Sequence, residues 1–256
     1  MPVPVDTCWL GRLRFQPCWE LQLALHRDIA AGKRPSTLLL VEHEPVITLG
    51  RRADESNLYL SEEELTRRGI DLFRIERGGD VTYHGPGQLM GYPLLNLRVL
   101  GLSVIGYVRA LEESLIALLA GLDIPCERIP GMTGVWHRGE KMAAIGIAVR
   151  GGVSYHGFAL NVSTDLSCFD LINPCGLSRP VTSIEKVKGT SPPPVEEVAR
   201  DYMKAFAETF GVELTPKSAD EVVGKSWESL YRPTDGWRRI PRPRWRASSA
   251  GSRRRS

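Results

Sequence analysis

The stretch GVWHRGEKMAAIGIAVRGGVSYHGFALNVS, residues 134–163, contains three short β-rich runs in direct succession. Arg138, Gly139 and Glu140 separate the first two runs, and the pair Gly151–Gly152 separates the second two. Glycine at such positions supplies the positive φ angles that two-residue hairpin turns need. The stretch therefore predicts two consecutive β-hairpins, whose strands pair antiparallel.

Three helices are predicted outside this stretch. Residues 18–32 and 103–124 carry apolar residues at helical spacing, and each has a glycine at its C-terminal end. A third helix begins near Pro194 and is stopped by Gly211. The helices do not alternate regularly with the strands. The predicted fold class is therefore α/β (α+β), with a mixed, largely antiparallel sheet flanked by helices, and not a doubly wound parallel sheet.

Further elements are predicted towards the N-terminus. TLLLVE (37–42) and VITLG (46–50) are β-rich runs joined by the tight segment EHEP, and we interpret them as a third hairpin. Ser61 with Glu64 matches a capping box for a short helix. IDLFRIER (70–77) and GYPLLNL (91–97) are predicted strands.

The composition is that of an ordinary globular protein, with 256 residues, 42% of them hydrophobic. No apolar run approaches the ~20 residues that span a bilayer, and the N-terminus lacks the pattern of a signal peptide. We therefore expect a cytoplasmic protein with no membrane partner. The five cysteines are scattered without a Cys-x-x-Cys pair, which argues against a disulfide framework and a structural zinc site. With no clustered Cys, His and acidic residues, we expect no metal.

The positive charge is concentrated at the C-terminus. The segment from Arg238 to Ser256 contains eight arginines and no acid, and without them the formal charge of +3 becomes −5. The segment is rich in Pro, Ser and Arg and has no periodicity, which is typical of disorder. We therefore divide the chain into one domain (1–233), which holds all of the candidate catalytic residues considered below, and a basic, disordered tail (234–256). Nucleic-acid binding would rest on this tail alone, and we expect none.

The glycine-rich stretch RGGDVTYHGPGQL, residues 77–89, is the first candidate site. It has neither the spacing of a dinucleotide fingerprint nor that of a P-loop, and β-rich sequence follows it in place of a helix N-terminus. Its glycines allow a ligand to approach the main chain, which suits a slot for a long, thin, apolar substrate. The residues alone fit a pair of glycine-rich turns between strands equally well.

Two further residues are candidates for chemistry. Cys175 lies in the turn INPCGL (172–177), where exposure and neighbouring donors favour a thiolate nucleophile, although a single turn cysteine is more often structural. Lys141 begins an apolar run in GEKMAAIGIAV. A lysine near a hairpin tip is usually solvated. A partly desolvated lysine beside a cysteine would stabilise the thiolate and, once neutral, act as a general base.

Four motifs together closely resemble the bacterial lipoyl(octanoyl) transferases of lipoate biosynthesis. In chain order they are R-G-G-x-V-T-Y-H-G-P-G-Q-L at 77–89, K-x-A-A-I-G at 141–146, H-G-F-A-L-N at 156–161 and N-P-C-G at 173–176. The resemblance extends from about Leu10 to about Phe210 and excludes the basic tail. It implies a fold like that of the biotin and lipoate ligase catalytic domains.

The resemblance also implies the roles of individual residues. Cys175 corresponds to the cysteine that carries the acyl group as a thioester, and Lys141 to the lysine that lowers its pKa and serves as acid and base. His84 is a pocket wall or a second base. The substrate slot corresponds to Arg77, Gly78, Gly79, Asp80, Val81, Thr82, Tyr83, His84, Ala144, Ile145, Gly146, His156, Gly157 and Phe158.

The implied reaction transfers octanoyl from octanoyl-acyl carrier protein to a specific lysine of lipoyl domains, without a cofactor. The implied acceptors are the lipoyl domains of 2-oxoacid dehydrogenases and the glycine cleavage H protein. Two alternatives remain, an ATP-dependent lipoate or biotin ligase of the same fold and a non-catalytic acyl-carrier binding protein. The cysteine in NPCGL argues against the ligase, which needs none. We expect a monomer.

Overall fold

The computed structural model describes residues 2–173 and 180–224. The strands are β1 (Val3–Leu13), β2 (Ser36–His43), β3 (Val46–Leu49), β4 (Asp71–Arg74), β5 (Val81–His84), β6 (Gln88–Leu94), β7 (Glu127–Ile129), β8 (Met132–His137), β9 (Glu140–Arg150), β10 (Val153–Asn161) and β11 (Val212–Pro216). The helices are α1 (Phe15–Ala30), α2 (Glu62–Arg67), α3 (Val104–Gly121), α4 (Ile184–Lys188), α5 (Val195–Phe210) and α6 (Ala219–Val223).

Eight strands of the described chain form one sheet, in the order β11-β1-β2-β6-β10-β9-β8-β7. β1 runs parallel to both of its neighbours. All of the other pairs in this sheet are antiparallel. The predicted mixed, largely antiparallel sheet is therefore confirmed.

Helices cover both faces of this sheet. On one face, apolar residues of α3 and α5 belong to the same buried cluster as Leu40, Phe158 and Leu160 of the strands. On the other face, α1 packs through Leu21 and Leu25 against a second cluster of strand residues. Because both faces are covered, β2 and β10 are buried along their whole length, as expected for strands in the middle of a two-sided sheet.

A second, smaller sheet has the order β4-β3-β5 among the described residues. β3 is parallel to β4 and antiparallel to β5. Its apolar cluster includes Leu65 of α2 and, at its edge, Phe169 of the short 3₁₀ segment Leu166–Leu171. This sheet was not predicted. It matters for the site because β5 is part of the glycine-rich motif.

The predicted hairpin between residues 37 and 50 is wrong. β2 pairs with β1 and β6 in the large sheet, whereas β3 pairs with β4 and β5 in the small one. The link between them, Glu44 and Pro45, is therefore a corner between two sheets. The physical reason is burial, because β2 is central to the large sheet and both of its edges are already occupied.

The two hairpins of residues 134–163 are confirmed. Arg138 and Gly139 have φ angles of 49° and 82° in the β8–β9 turn, and Gly151 and Gly152 have 62° and 86° in the β9–β10 turn. Two consecutive positive φ angles are the signature of the type I′ turn, whose twist matches that of the flanking strands.

The predicted helices are also confirmed. Ser103 caps α3 by accepting a hydrogen bond from the Gly106 N–H at 3.0 Å, and Gly211 ends α5 in the left-handed region. Ser61 caps α2 through the Glu64 N–H. The Glu64 carboxylate, however, pairs with Arg67 and Arg68, so the bond that would complete the capping box is not formed.

Within the described ranges, no helix is long and apolar enough to cross a lipid bilayer. Residues 174–179, which include Cys175, lie outside the described residues, as does the predicted tail 234–256.

Candidate active site

A cavity of about 710 Å³ lies beside the large sheet, and its lining includes Met90, Tyr92 and Ala159 of the cluster that packs against α1 and Phe158 of the cluster that packs against α3 and α5. Its floor is formed by β9, β10 and β6, and its opposite wall by the segment from Ile75 to His84. It is lined by every predicted slot residue except Tyr83, namely Arg77, Gly78, Gly79, Asp80, Val81, Thr82, His84, Ala144, Ile145, Gly146, His156, Gly157 and Phe158. The structure thus brings three motifs that are far apart in sequence to one space.

Tyr83 has a different place. Its ring contacts Phe169 with a centroid distance of 5.8 Å and is buried in the apolar cluster of the small sheet. Successive residues of a strand point to opposite faces. Thr82 and His84 therefore face the cavity, while Tyr83 between them supports the wall from behind.

The glycine-rich loop lies close against β9. The Gly78 N–H donates to the Ile147 carbonyl at 2.9 Å. A Cβ atom on Gly146 would lie 3.0 Å from the Gly78 oxygen, and one on Gly50 would lie 2.4 Å from the Gly79 oxygen. Glycine is therefore required on both sides of the loop by close backbone approach, in agreement with a slot walled partly by main chain.

Lys141 faces the same cavity because of a β-bulge. The register between β8 and β9 shifts so that Val135 pairs with Ala143 while Trp136 pairs with Lys141. Met142 is the extra residue, and Met142 and Ala143 are both buried in the cluster on the opposite face. In a regular strand, residues 141 and 144 would point to opposite faces. The bulge places both on the cavity side.

The main chain of Lys141 is held by the segment that follows residues 174–179. Its N–H donates to the Pro180 carbonyl at 2.9 Å, and its carbonyl accepts from the Thr182 N–H at 3.0 Å. The side-chain ammonium lies 4.8 Å from the centroid of the Trp136 ring. On the N-terminal side of residues 174–179, the Asn173 N–H donates to the Asn57 carbonyl at 2.8 Å. The Asn57 side-chain amide donates in turn to Asp80 of the glycine-rich loop.

His84 is a wall of the cavity with both ring nitrogens engaged. Nδ1 lies 2.8 Å from Gln88 Oε1 and Nε2 lies 3.3 Å from Thr48 Oγ1. Burial, followed by the nearby Arg77 cation, lowers the pKa of His84 to about 3. A neutral imidazole with two partners is a poor proton acceptor, which favours the wall over the second base.

His156 lies on β10, in the floor of the cavity, and its side chain is almost completely buried. Its φ angle is 56°, and its N–H donates to Gln22 Oε1 at 3.0 Å. Nε2 lies 3.5 Å from a Glu76 carboxylate oxygen. Burial lowers the pKa of His156, and Glu76 opposes this effect. These contacts agree with a pocket-lining residue.

The described cysteines are poor nucleophiles. Burial raises the pKa of Cys8 to about 11 and those of Cys18 and Cys126 to about 12. It also raises the pKa of Cys168. Since the thiolate is the reactive form, none of these four is prepared for attack at neutral pH.

Several residues of the cavity were missed by the sequence interpretation. Phe15 of α1 and Met90 and Tyr92 of β6 line it, as do Trp136 and Asn161. Asn161 is the last residue of the HGFALN motif, so the motif itself was a usable signal. No local pattern marked the others. Among the described residues, no three His, Cys, Asp or Glu side chains are grouped as a metal site would require.

Comparison with known proteins gives the family. The lipoyl protein ligase A/B catalytic domain matches residues 15–207. The chain is 46% identical to an octanoyltransferase of Solibacter usitatus, over 81% of this chain and 93% of that protein. It is 47% identical to one of Alkaliphilus metalliredigens, over 80% and 94%. The chain belongs to the octanoyltransferase family. The resemblance drawn from the motifs is thereby confirmed.

Solved structures show the same fold at lower identity. A lipoate-protein ligase A bound with ATP has a TM-score of 0.67 at 17% identity, covering 90% of this chain and 92% of its own. A bipartite lipoate protein ligase from Thermoplasma acidophilum has a TM-score of 0.65 at 17% identity, covering 89% and 90%. The octanoyltransferase family thus shares the catalytic-domain fold of the ligases, and the predicted ligase-like fold is confirmed.

Proposed function

We propose that the chain transfers an octanoyl group from octanoyl-acyl carrier protein to a specific lysine of lipoyl domains, through a thioester on Cys175. The observation that supports this most directly is that Lys141, the glycine-rich loop and the HGFALN strand line one and the same cavity, in a member of the octanoyltransferase family. The apolar floor of small residues suits an acyl chain, which is bound by burial of its methylene groups.

The first half-reaction is a thioester exchange. The Cys175 thiolate attacks the octanoyl carbonyl, the carbon–sulfur bond to the carrier's phosphopantetheine breaks, and the departing thiolate takes up the proton that Cys175 gave away. Lys141 holds that proton in between. One thioester is consumed and one is formed, so this step needs no ATP.

The second half-reaction forms an amide. The lysine amine of the lipoyl domain attacks the Cys175 thioester, the carbon–sulfur bond breaks, and the amine loses a proton, which returns through Lys141 to the cysteine. A covalent intermediate allows two protein substrates to bind in turn at one mouth. Asn173 and Pro180 flank the segment that contains Cys175, and Pro180 accepts a hydrogen bond from the Lys141 N–H, which supports a role for Cys175 close to Lys141.

Intact-protein mass spectrometry after incubation with octanoyl-acyl carrier protein, without ATP, tests the proposal. We expect one octanoyl adduct on the wild type and none on Cys175→Ser, with release of the adduct by a lipoyl domain. Cys168→Ser is the matched control, because Cys168 is only seven residues away and its pKa is raised by burial. It should retain the adduct.

Two outcomes would contradict the proposal. Transfer that requires ATP and survives Cys175→Ser would indicate a ligase. Absence of both adduct and transfer, with octanoyl-carrier binding retained, would indicate a binding protein.

Lys141→Ala should lower the rate of adduct formation without abolishing octanoyl-carrier binding, since Lys141 acts on protons and not on the acyl chain.

A further inference from the structure

A buried chain of hydrogen bonds crosses the wall of the cavity from one motif to the next. It starts at the Arg77 guanidinium, which donates to Thr48 Oγ1 from Nε at 3.1 Å and from Nη2 at 2.9 Å. It continues through His84, Gln88 and Asn161 and ends at the main-chain oxygen of Thr182. Each of these residues is less than 9% exposed.

The direction of every bond in this chain is fixed by its two ends. The Thr182 oxygen can only accept, so the Asn161 Nδ2 amide donates to it at 3.0 Å. Asn161 Oδ1 then accepts from Gln88 Nε2 at 2.8 Å, and Gln88 Oε1 accepts from His84 Nδ1 at 2.8 Å. His84 Nε2 is left to accept from the Thr48 hydroxyl, because the guanidinium only donates.

The end of the chain at Thr182 is next to Lys141. The Thr182 N–H donates to the Lys141 carbonyl, and Val181 forms a parallel bridge with Lys141. The segment 180–182 thus fixes the main chain of Lys141 through hydrogen bonds. Asn161 in turn fixes this segment through its bond to the Thr182 oxygen. Gln88 in turn permits only one orientation of the Asn161 amide.

We propose that Asn161 and Gln88 are positioning residues for Lys141, which set where its ammonium lies in the cavity by fixing residues 180–182. The inference rests on the proposed function, in which Lys141 moves the proton. A buried amide pair is costly to place unless its polar atoms are hydrogen-bonded, and here one arrangement gives each of the four side-chain N and O atoms a partner. Apolar residues of similar size would fill the same space but would leave the Thr182 oxygen without its bond.

The sharpest variant is Asn161→Asp, which keeps the size and the acceptor for Gln88. While it is ionised, it sets a carboxylate oxygen against the Thr182 oxygen, and this repulsion displaces residues 180–182. Misplacing a catalytic group by about 1 Å costs about 10²-fold in rate. We expect kcat to fall by about that factor and KM for octanoyl-acyl carrier protein to change by less than about threefold. Asn161→Ala should likewise lower kcat and leave KM nearly unchanged. Agreement between the two variants would show that the loss does not come from misfolding of one of them.

Ser114→Ala is the matched control. Ser114 is fully buried and bonds Leu111 and Tyr202 between α3 and α5, away from the cavity. The Ser114→Ala variant also loses buried side-chain hydrogen bonds, but it should keep the wild-type kcat. An equal loss of kcat in Ser114→Ala, or wild-type kcat in both Asn161 variants, would overturn the positioning role.

A second readout separates this inference from the proposed function. Acetic anhydride acetylates the neutral Lys141 amine, and the acetylated fraction of the peptide that contains Lys141 can be measured by mass spectrometry at a series of pH values, without any substrate. The midpoint of this curve is the pH at which acetylation of Lys141 is half-maximal. We expect this midpoint to shift by about half a unit or more in Asn161→Ala, which adds no charge of its own, and to be unchanged in Ser114→Ala. A shifted midpoint in a chain that forms no octanoyl adduct would refute the proposed function only. An unchanged midpoint with a normal wild-type adduct would refute the positioning role only.

Discussion

At the scale of single residues, the shape of the cavity depends on glycines, which have no side chain. Gly146 allows the loop to approach β9 so closely that a methyl group at this position would lie 3.0 Å from both Arg77 Cδ and the Gly78 oxygen. This was predictable in kind, because a run of glycines with no phosphate-loop spacing indicates close backbone approach. Which strand the loop approaches was not predictable, since β9 is more than 60 residues further along the chain.

Buried histidines should make stability dependent on pH. The His43 N–H at Nδ1 donates to the Leu13 carbonyl at 2.9 Å, and Nε2 accepts from the Tyr92 hydroxyl at 2.8 Å. Burial lowers the pKa of His43 to about 4, from an ordinary value of 6.5. Between these values the unfolded chain binds a proton that the folded chain does not, so stability falls as the pH is lowered from 6.5 towards 4.

The contribution of His43 to that slope is about 1.4 kcal/mol per pH unit. We expect His43→Gln to reduce the pH dependence of the free energy of unfolding by about one proton in this window. Urea unfolding at several pH values between 4.5 and 7 measures it. An identical slope for the variant and the wild type would show that His43 does not titrate as its burial indicates.

At the scale of elements, hairpins with local turn signals were predictable and partners of distant strands were not. The turns at 138–139 and 151–152 are specified by their own glycines, whereas β2 and β3 were misjudged because a tight turn does not reveal which sheet the next strand joins. β1 was not predicted, since Pro4, Asp6 and Gly11 interrupt its pattern. The bulge at Met142 was also invisible in sequence, although it decides that Lys141 faces the cavity.

A buried carboxylate of α3, that of Glu112, connects this helix to the hairpin β7–β8. Glu112 is 1% exposed and accepts from Arg109 at 2.7 Å, from Arg128 at 3.1 Å and from the Gly134 N–H at 3.1 Å. We expect Glu112→Gln to lower the free energy of unfolding by about 2 kcal/mol, because an amide cannot replace a carboxylate that accepts from two guanidinium groups.

Glu113→Gln is the matched control in a urea-unfolding measurement. Glu113 pairs with the same Arg128, but its side chain is 54% exposed, and exposed pairs contribute little to stability. A loss for Glu113→Gln as large as that for Glu112→Gln would show that the hairpin is held by surface charge and not by the buried bonds.

At the scale of the whole molecule, the family match and the cavity both belong to the part of the chain before the basic tail. The matched region ends at residue 207, and all the residues that line the cavity lie between Phe15 and Val181 among those described. Nothing in the proposed chemistry draws on the eight C-terminal arginines. We therefore predict that the catalytic unit ends near residue 233. We also predict that the chain is a monomer.

A chain truncated after Pro233 tests this division. We expect its kcat and its midpoint of thermal unfolding to equal those of the full chain, because the family match ends at residue 207 and the composition of the removed segment is typical of disorder. Sedimentation equilibrium of the full chain should give a mass near 28.4 kDa. A raised KM for octanoyl-acyl carrier protein, with unchanged kcat, would instead assign the arginines to attraction of an acidic partner, whose association weakens with salt. A fall in the unfolding midpoint would show that the domain boundary lies further towards the C-terminus.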